Sequence, residues 1–375
     1  MPWKECSKVE QRGEFVSLAK VEGAKVTQLC EKFEISRKTG YKWLRRFGRK
    51  ESLEDRSRRP QRSPKRTVRE MERAVLVVRD RHPAWGGRKI AVRLKDTGHQ
   101  GVPAASTITE ILRRHGRLDE AEAIKHRPYQ RFERERPNDL WQMDFKGHFG
   151  LRDGTRCHAL TVLDDHSRYA LAVRACGNER RETVQAELVE LFRRYGLPLA
   201  MLTDNGAPWG TGDWHNPYSS LVVWLLRLGV QVRHGRPYHP QTQGKDERFH
   251  RTLSEELLCR DEFENLLKMQ LGFDRFRFTY NHERPHESLG LTVPAKRYLV
   301  SERNYPERLP PIEYPSSMAV RCVSEGWVSY KGRAYRINKA FSGYRVGLSP
   351  TDQDGVLDVF FCRHCIGQIS IAMDN

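Results

Sequence analysis

Long apolar segments are missing from this chain of 375 residues. No apolar run reaches the roughly 18 residues that a membrane-spanning helix needs. Residues 1–20 are charged throughout and lack the apolar core of a secretory signal peptide. We therefore expect no membrane association and a cytoplasmic location.

Cysteine is also sparse, with eight residues scattered over the whole chain. Only Cys362 and Cys365 form a CxxC pair, and no second pair completes a zinc site. This usage is typical of reduced thiols in a cytosolic protein, and it leaves the role of the CxxC pair open. The chain length allows roughly two to four domains with well-buried cores.

Negative charge is scarce in the first third of the chain. Residues 1–137 contain 35 Lys and Arg against 19 Asp and Glu, whereas residues 138–375 contain 31 against 29. Nearly all of the formal net charge of +18 therefore lies in the N-terminal third. Solubility alone does not require such asymmetry. The distribution predicts nucleic-acid binding in the first third and chemistry further along the chain.

Residues 1–50 show the pattern of three short helices. Val9–Lys20 and Val26–Phe33 are the first two, and Ser36 is the candidate N-cap of the third. Two helices followed by a cationic third predict a helix-turn-helix that binds DNA through its last helix. A basic three-helix bundle with another partner is the alternative. The candidate DNA contacts are Arg37, Lys38, Lys42, Arg45 and Arg46.

Residues 67–116 predict a second helix-turn-helix. Val68–Arg81 forms its first helix, a second begins at Gly86, and a third takes Ser106 as its candidate N-cap. Before this domain, residues 51–66 form a basic linker with almost no apolar content, which either follows a DNA backbone or stays unstructured. The candidate DNA contacts of the second domain are Arg88, Lys89, Ser106 and Thr107.

After a linker at 117–137, three carboxylates stand where an active site is expected. Asp144 lies in a strand in which apolar and polar residues alternate. Asp204 follows a short apolar strand, and sites in sheets flanked by helices gather beyond the carboxyl ends of strands. Glu247 begins a helix and faces away from that helix's apolar side. Three such carboxylates can hold two divalent cations about 4 Å apart for phosphodiester chemistry. An ordinary solvated helix face is the alternative for Glu247.

Four sequence blocks carry a resemblance to a known family. They are Trp141–Phe145, Thr203–Gly206, Arg236–Leu253 and Tyr280–Leu289. In this order the blocks resemble bacterial insertion-sequence transposases of the DDE class, which have a retroviral-integrase type of catalytic core. The resemblance is strong over residues 138–299. One departure is a longer gap between the second and third carboxylates, placed in the Gly-, Pro- and Trp-rich segment 207–218.

The resemblance implies a triad of Asp144, Asp204 and Glu247 that holds two Mg²⁺ or Mn²⁺ ions, with Asp144 shared by both. It implies a ribonuclease-H-like core at 138–300 and double-stranded DNA, both element ends and target, as the partner of a homo-oligomer near the bacterial nucleoid. Cleavage by water and transfer by the freed 3′-hydroxyl are the expected reactions. A hydrolysis-only nuclease and a non-catalytic repressor are the alternatives. The candidate DNA contacts beside the third acid are Lys245, Arg248 and Arg251.

Neighbouring acids compete with the triad. Asp164 and Asp165 form an adjacent pair beside a turn, where such residues usually cap the loop. Asp246 lies nearer the apolar face of its helix than Glu247 does, which favours Glu247 as the active-site acid. No helix breaker occurs between Gly244 and Gly272, and a long helix is expected there.

The C-terminal part predicts a β domain. Residues 301–319 are rich in proline and form a linker. Residues 320–375 contain five short β-like runs separated by glycines, which predict a small barrel. The resemblance implies an SH3-like barrel, with either DNA or a second subunit as its partner. The expected fold class is therefore multidomain α+β: helix-turn-helix modules, an α/β catalytic core and a small β-barrel.

Overall fold

The computed structural model describes residues 7–56, 66–118, 133–212, 217–235 and 244–371. The chain forms two compact units, residues 1–66 and residues 67–375. Helices fill the first unit, and the second combines helices with two separate sheets. The multidomain α+β class is confirmed. None of the helices in the described ranges is both long and apolar enough to cross a membrane.

The first unit is a three-helix fold, as expected. Ser7 opens the first helix with a capping box, accepting from the backbone N–H of Glu10 while its own N–H donates to the Glu10 side chain. Ser36 caps the third helix through the N–H of Thr39, which confirms the predicted N-cap. Phe15, Val16, Cys30 and Trp43 form the core. The helices are α1 (Lys8–Leu18), α2 (Val26–Lys32) and α3 (Arg37–Gly48).

The second unit begins with another three-helix fold at residues 67–118, which we call the second helical module. Its core contains Trp85, Ile90 and Ile111, all fully buried. The sequence predicted Ser106 as the N-cap of its last helix, and this prediction was wrong. Ala104 occupies that position without a side-chain hydrogen bond, and Ser106 lies exposed in the first turn. The helices are α4 (Arg69–Arg81), α5 (Gly87–Asp96) and α6 (Ala105–Arg114).

The core domain predicted at residues 138–300 is built on a five-stranded sheet in the order β3-β2-β1-β4-β5. The first three strands in the chain are antiparallel neighbours, whereas β4 pairs in parallel with both β1 and β5. This mixed order is the ribonuclease-H type of sheet that the family resemblance implied. The strands are β1 (Trp141–Gly150), β2 (Arg156–Asp164), β3 (Ala170–Cys176), β4 (Ala200–Thr203) and β5 (Gln231–His234).

Helices cover both faces of this sheet. On one face α7 (Arg181–Tyr195) and α8 (Ser220–Arg227) pack against Trp141 and Met143 of β1. On the other face α9 (Gly244–Leu253) and α10 (Leu266–His282) pack against β2 and β3. The alternation of side chains along β1 therefore turns its polar residues toward α9.

The long helix expected from Gly244 to Gly272 does not form. α9 continues into a π-helical turn, Ser254–Leu258, and the chain then leaves the helix. A new helix, α10, starts after Asn265, whose side chain accepts the N–H of Lys268. The expectation was wrong because a helix can end without a glycine or proline: the chain turns at Cys259 and Arg260, and Asn265 then caps a new helix.

The C-terminal β domain is a six-stranded antiparallel sheet in the order β11-β10-β9-β6-β7-β8, curled into half a barrel. Val222, Val223 and Leu226 of α8 lie in the same apolar cluster as the sheet's buried residues. The sheet therefore packs its inner face on the catalytic core. The strands are β6 (Ala319–Ser324), β7 (Trp327–Tyr330), β8 (Arg333–Arg336), β9 (Arg345–Pro350), β10 (Val356–Phe361) and β11 (His364–Ser370).

The proline-rich segment 301–319 packs on the core. Its last residue, Ala319, already belongs to β6 of the C-terminal sheet, a strand that the sequence did not predict. The backbone N–H of Ser301 donates to Tyr195 O. Arg303 donates to the carbonyls of Leu228 and Gly229 at 3.2 and 2.9 Å. The linkers predicted at 51–66 and 117–137 lie largely outside the described residues.

Candidate active site

Asp144 and Asp204 are brought together by the pairing of two parallel strands. Trp141 and Gln142 of β1 pair with Met201 and Leu202 of β4. The same register, continued by two residues, places Asp144 beside Asp204. Residues in register on parallel strands point to the same face. The two carboxylates are 60 positions apart in sequence and are neighbours at the end of β4.

Burial disfavours the charged form of both carboxylates, and the charge of Asp204 adds to this at Asp144. Burial and the nearby charge of Asp204 raise the pKa of Asp144 to about 6. Burial also raises the pKa of Asp204, although the N–H of Gly206, 3.1 Å from its Oδ1, partly offsets this. Among the described residues no cation shifts the pKa of Asp144, whereas the charge of His234 lowers that of Asp204. A divalent cation would therefore relieve a strain that the protein itself leaves in place.

Glu247 lies on α9 with its side chain exposed to solvent. Within the described ranges, no three His, Cys, Asp or Glu side chains are close enough together to hold a metal ion. The structure therefore assembles two members of the predicted triad and leaves the third on the adjacent helix. The residues that lead into α9, 236–243, lie outside the described residues, and so does the start of the predicted Arg236–Leu253 block.

A buried hydrogen-bond chain joins α9 to the strand that carries Asp144. Thr161 of β2 is fully buried, and its hydroxyl donates to the backbone carbonyl of Asp144 at 3.0 Å. Nε2 of His250 lies 2.8 Å from the same hydroxyl, and because that hydroxyl already donates, the imidazole N–H is the donor here. Burial lowers the pKa of His250 to about 4, so the ring is neutral. This chain fixes the middle of α9.

Asp164 and Asp165 have structural hydrogen bonds. Asp164 is fully buried and accepts from the backbone N–H groups of Asn138 and Ser167, both at 2.7 Å. Asp165 accepts from Gln142 at 2.6 Å and from the ammonium of Lys245 at 2.5 Å. The second acid therefore holds the start of α9 against the sheet.

Asp246 faces the protein interior, as the helical angle predicted. It is 2 % exposed, and its Oδ1 has no hydrogen-bond partner among the described residues. Burial first, and then the charges of Asp144 and Asp165, raise its pKa well above the usual range. Burial therefore disfavours the charged form of Asp246, and Glu247 is the solvent-facing acid of the pair.

The sequence did not single out Glu179, which acts on both aspartates. Its charge contributes to the raised pKa values of Asp144 and Asp204, and its Oε1 lies 2.7 Å from Nδ1 of His158. Glu179 stands in the turn between β3 and α7, with no apolar periodicity to mark it. Only the folded sheet reveals its proximity to the site.

Part of the long segment 207–218 is anchored on the face of the sheet that α7 and α8 cover. Trp209 is 2 % exposed, and its ring stacks on Phe145 of β1 with centroids 5.5 Å apart. Gly210 lies so close to Asn205 that a Cβ atom would come within 2.2 Å of the Asn205 side-chain oxygen. Residues 213–216 of this segment are outside the described residues.

The cationic face of α3 in the first unit is exposed. Arg37, Lys38, Lys42 and Arg45 all face solvent, together with Tyr41. Arg46 is different, because its side chain donates to the carbonyl of Glu54 at 3.0 Å and lies over the buried Trp43 ring. Four of the five predicted contact residues of this helix are therefore available to a ligand.

In the second unit the predicted DNA contacts divide into two groups. Ser106, Thr107, Arg248 and Arg251 are exposed. The other three residues have contacts within the chain: Arg88 is exposed but pairs with Glu287 at 3.2 Å, Lys89 is half-buried beside Arg284, and Lys245 bonds to Asp165.

Family comparisons agree with this architecture. Integrase core domain models match residues 134–240 and residues 228–294. The model of the IS481 family transposase C-terminal domain matches residues 318–375. Homeodomain-like and helix-turn-helix models match residues 39–112 and residues 11–61. The resemblance to insertion-sequence transposases with an integrase-type core is confirmed.

The relatives come from insertion elements and retroviruses. An uncharacterized 39.2 kDa protein of insertion element IS476 from Xanthomonas euvesicatoria is 28% identical over 160 residues, 43% of this chain and 44% of the relative. A 31.7 kDa protein of IS407 from Burkholderia multivorans is 26% identical over 160 residues, 43% of this chain and 55% of the relative. The chain spans about half the length of these curated relatives. The solved HTLV-2 integrase catalytic core domain in complex with magnesium is 17% identical, covers 44% of this chain and 99% of its own, and has a TM-score of 0.33.

Proposed function

We propose that this chain, a member of the integrase/transposase family with helix-turn-helix domains, cleaves DNA at the ends of an insertion element and joins those ends to target DNA. The observation that carries the proposal is the juxtaposition of Asp144 and Asp204 across the β1–β4 pair. The integrase core domain supports nucleotidyl transfer as the reaction class. The exposed cations of α3 support DNA as the partner.

The donor set at this site fits magnesium or manganese. Carboxylate oxygens are the protein ligands that these ions prefer. The raised pKa of Asp144, which burial and the charge of Asp204 cause, supports a cation at this position. Asp144 and Asp204 would hold the metal, with Glu247 from α9 as the third ligand. When bound, two such ions lower the pKa of the attacking water or hydroxyl and neutralise charge on the phosphate.

The protein's own groups bind and orient the DNA. The exposed face of α3 binds the element ends, while Arg248 and Arg251, exposed on the same helix as Glu247, are placed to contact phosphates near the site. The reaction uses no covalent enzyme–DNA intermediate, because the nucleophiles are water and then the DNA 3′-hydroxyl. Because element ends are joined in pairs, we propose that the protein works as a homo-oligomer on DNA.

Strand transfer by the full chain is the experiment that tests this function. Purified protein, a labelled duplex carrying the element end and a supercoiled target are incubated with Mg²⁺, and joined products are separated on a gel. We expect joined products at a rate that depends on the end sequence. Cleavage without joining would instead assign a hydrolysis-only nuclease, and end binding without any cleavage would assign a repressor.

If α3 binds DNA, its exposed cations should contribute to the salt dependence of the affinity. Arg45→Gln removes one exposed cation of α3, so binding should weaken and the slope of log affinity against log salt should fall by about 1. Lys32→Gln removes an equal charge from α2 and serves as the control, with a smaller effect expected. Fluorescence anisotropy of a labelled duplex over a salt series measures both slopes. Equal slopes for Arg45→Gln and wild type would place the DNA on another face.

A further inference from the structure

The second helical module is joined to the catalytic core by a buried polar contact. Nε1 of Trp85 donates a hydrogen bond of 3.2 Å to Oε1 of Glu256, a residue 171 positions away. The Trp85 side chain is fully buried and stacks on His82, with ring centroids 3.9 Å apart. The same Oε1 atom accepts a 2.9 Å hydrogen bond from Nε of Arg284. Only 7% of the Glu256 side chain and 11% of the Arg284 side chain are exposed. Glu256 is therefore shared between the module and the core.

Charge complementarity surrounds this contact. Arg93 of α5 pairs with Glu283 at 2.7 Å, and Arg88 pairs with Glu287 at 3.2 Å. Lys89 lies between these pairs, where burial lowers its pKa to about 8. The basic side of α5 thus faces an acidic part of the core. Two cations of α5 therefore pair with specific acids of the core, in addition to the Trp85–Glu256 hydrogen bond.

Glu256 belongs to the same continuous helical segment as Glu247. α9 passes directly into the π-helical turn that contains Glu256, and the N–H of Cys259 bonds to the carbonyl of Ser254 across this turn. π-helical turns are rare in proteins overall, and those that occur are often found at functional sites. Lys245 and His250 hold the start and middle of α9 from within the core. The end of the segment is held at Glu256 by Arg284 of the core and, from outside the core, by Trp85 of the second helical module.

We propose that the Trp85–Glu256 contact makes the position of Glu247 depend on the docking of the second helical module, and that Trp85 and Glu256 are positioning residues for the active site. Asp144 and Asp204 are placed by paired strands, whereas Glu247 stands exposed on a helix. A displacement of the module on DNA would therefore act on the one acid that the sheet does not fix. The role of Glu247 rests on the proposed function, but the coupling between module and α9 does not.

Hydrogen–deuterium exchange on the full chain tests the coupling without any assumption about activity. Trp85→Phe keeps a stacked aromatic ring and removes the indole N–H. We expect the amides of residues 244–253 to exchange about tenfold faster, the size set by one hydrogen bond to a charged group. Glu256→Gln keeps an acceptor for Trp85, so in this variant the exchange of residues 244–253 should stay close to that of wild type. Trp224→Phe, which alters an indole packed on Phe192 on the other face of the sheet, is the matched control.

A double variant tests whether Trp85 and Glu256 act on α9 through the same contact. Glu256→Ala removes the same contact from the core side, and it also serves if Trp85→Phe disturbs folding of the module. Adding Trp85→Phe to Glu256→Ala should cause no further change in α9 exchange, because both act through one contact. Unchanged exchange in Trp85→Phe, an equal change in Trp224→Phe, or additive effects in the double variant would overturn the proposal.

Kinetics then connect the coupling to the reaction. In Trp85→Phe, kcat for end cleavage should fall about tenfold while KM for DNA stays the same, because a positioning residue affects the chemical step and not end binding. A rise in KM with unchanged kcat would count against positioning. If wild-type protein shows no cleavage at all, the proposed function fails, and the exchange measurement still decides whether the module controls α9.

Discussion

Asp144→Asn, Asp204→Asn and Glu247→Gln are each expected to lower DNA strand cleavage by about 10³-fold or more, because each removes a charged oxygen ligand from the reacting centre. Binding of the element end should remain near the wild-type level. The reason is spatial, since the exposed cations of α3 belong to a different compact unit from the three carboxylates. Gel-based cleavage and anisotropy on the same preparations measure the two properties.

Glu255→Gln is the matched control for the helix substitution. Glu255 is an exposed acid in the π-helical turn that continues α9, and its replacement removes the same charge from the same segment. Cleavage by this variant should equal that of wild type. Asp246→Asn tests the buried acid independently of Glu247. A loss of cleavage as large as that of Glu247→Gln would identify Asp246 as the third ligand. Cleavage retained by any of the three triad variants, with Mg²⁺ or Mn²⁺, would remove that residue from the site.

The second large effect concerns stability. At pH 7.5 without metal, Asp144→Asn should stabilise the protein by about 2 kcal/mol, because it removes a charge that burial and Asp204 disfavour. For a unit of this size the melting temperature should rise by roughly 3–6 °C. Differential scanning calorimetry of the full chain measures the change. Asp352→Asn, an exposed acid on the C-terminal sheet, should leave the melting temperature unchanged.

The pH dependence of this stabilisation follows from the direction of the shift. The folded-state pKa of Asp144 is about 6, above its ordinary value of 3.8. The folded protein therefore holds the proton more tightly, and the cost of the charge is fully present above pH 6. As the pH falls from 6 toward 3.8, that cost disappears. Wild type and Asp144→Asn should thus differ most above pH 6 and converge near pH 4.

Divalent cations should reverse the difference in stability, so that wild type melts at a higher temperature than Asp144→Asn. Mg²⁺ should raise the melting temperature of wild type by a mass-action effect, and Mn²⁺ should do so at lower concentration. Asp144→Asn should gain less from either ion, because it has lost a ligand. Equal metal-induced shifts in both proteins would contradict a site built on Asp144. Strong destabilisation by the substitution without metal would assign Asp144 to a structural pair instead.

Local sequence patterns determined most of the elements. Trp141 and Met143 alternate with polar neighbours and lie on the buried side of β1, as the period of a strand requires. Phe249 and Leu253 recur at helical spacing and lie in the core, which turns Asp246 inward and Glu247 outward. Ser36 caps α3 because the cap depends on its own side chain and the next few residues. Such features are readable because each one is decided within a single helix or strand.

Tertiary structure decided how these elements meet. The parallel register of β1 and β4 places Asp144 beside Asp204, and no pattern within either strand encodes that register. Lys245 turns inward to Asp165 rather than outward, since its partner lies on a loop 80 residues away. Trp85 of the second helical module bonds to Glu256 in the π-helical turn after α9, 171 residues away in sequence. Periodicity reports which side of an element is apolar, whereas partners distant in the chain are chosen by shape, charge and hydrogen bonding only after the elements pack.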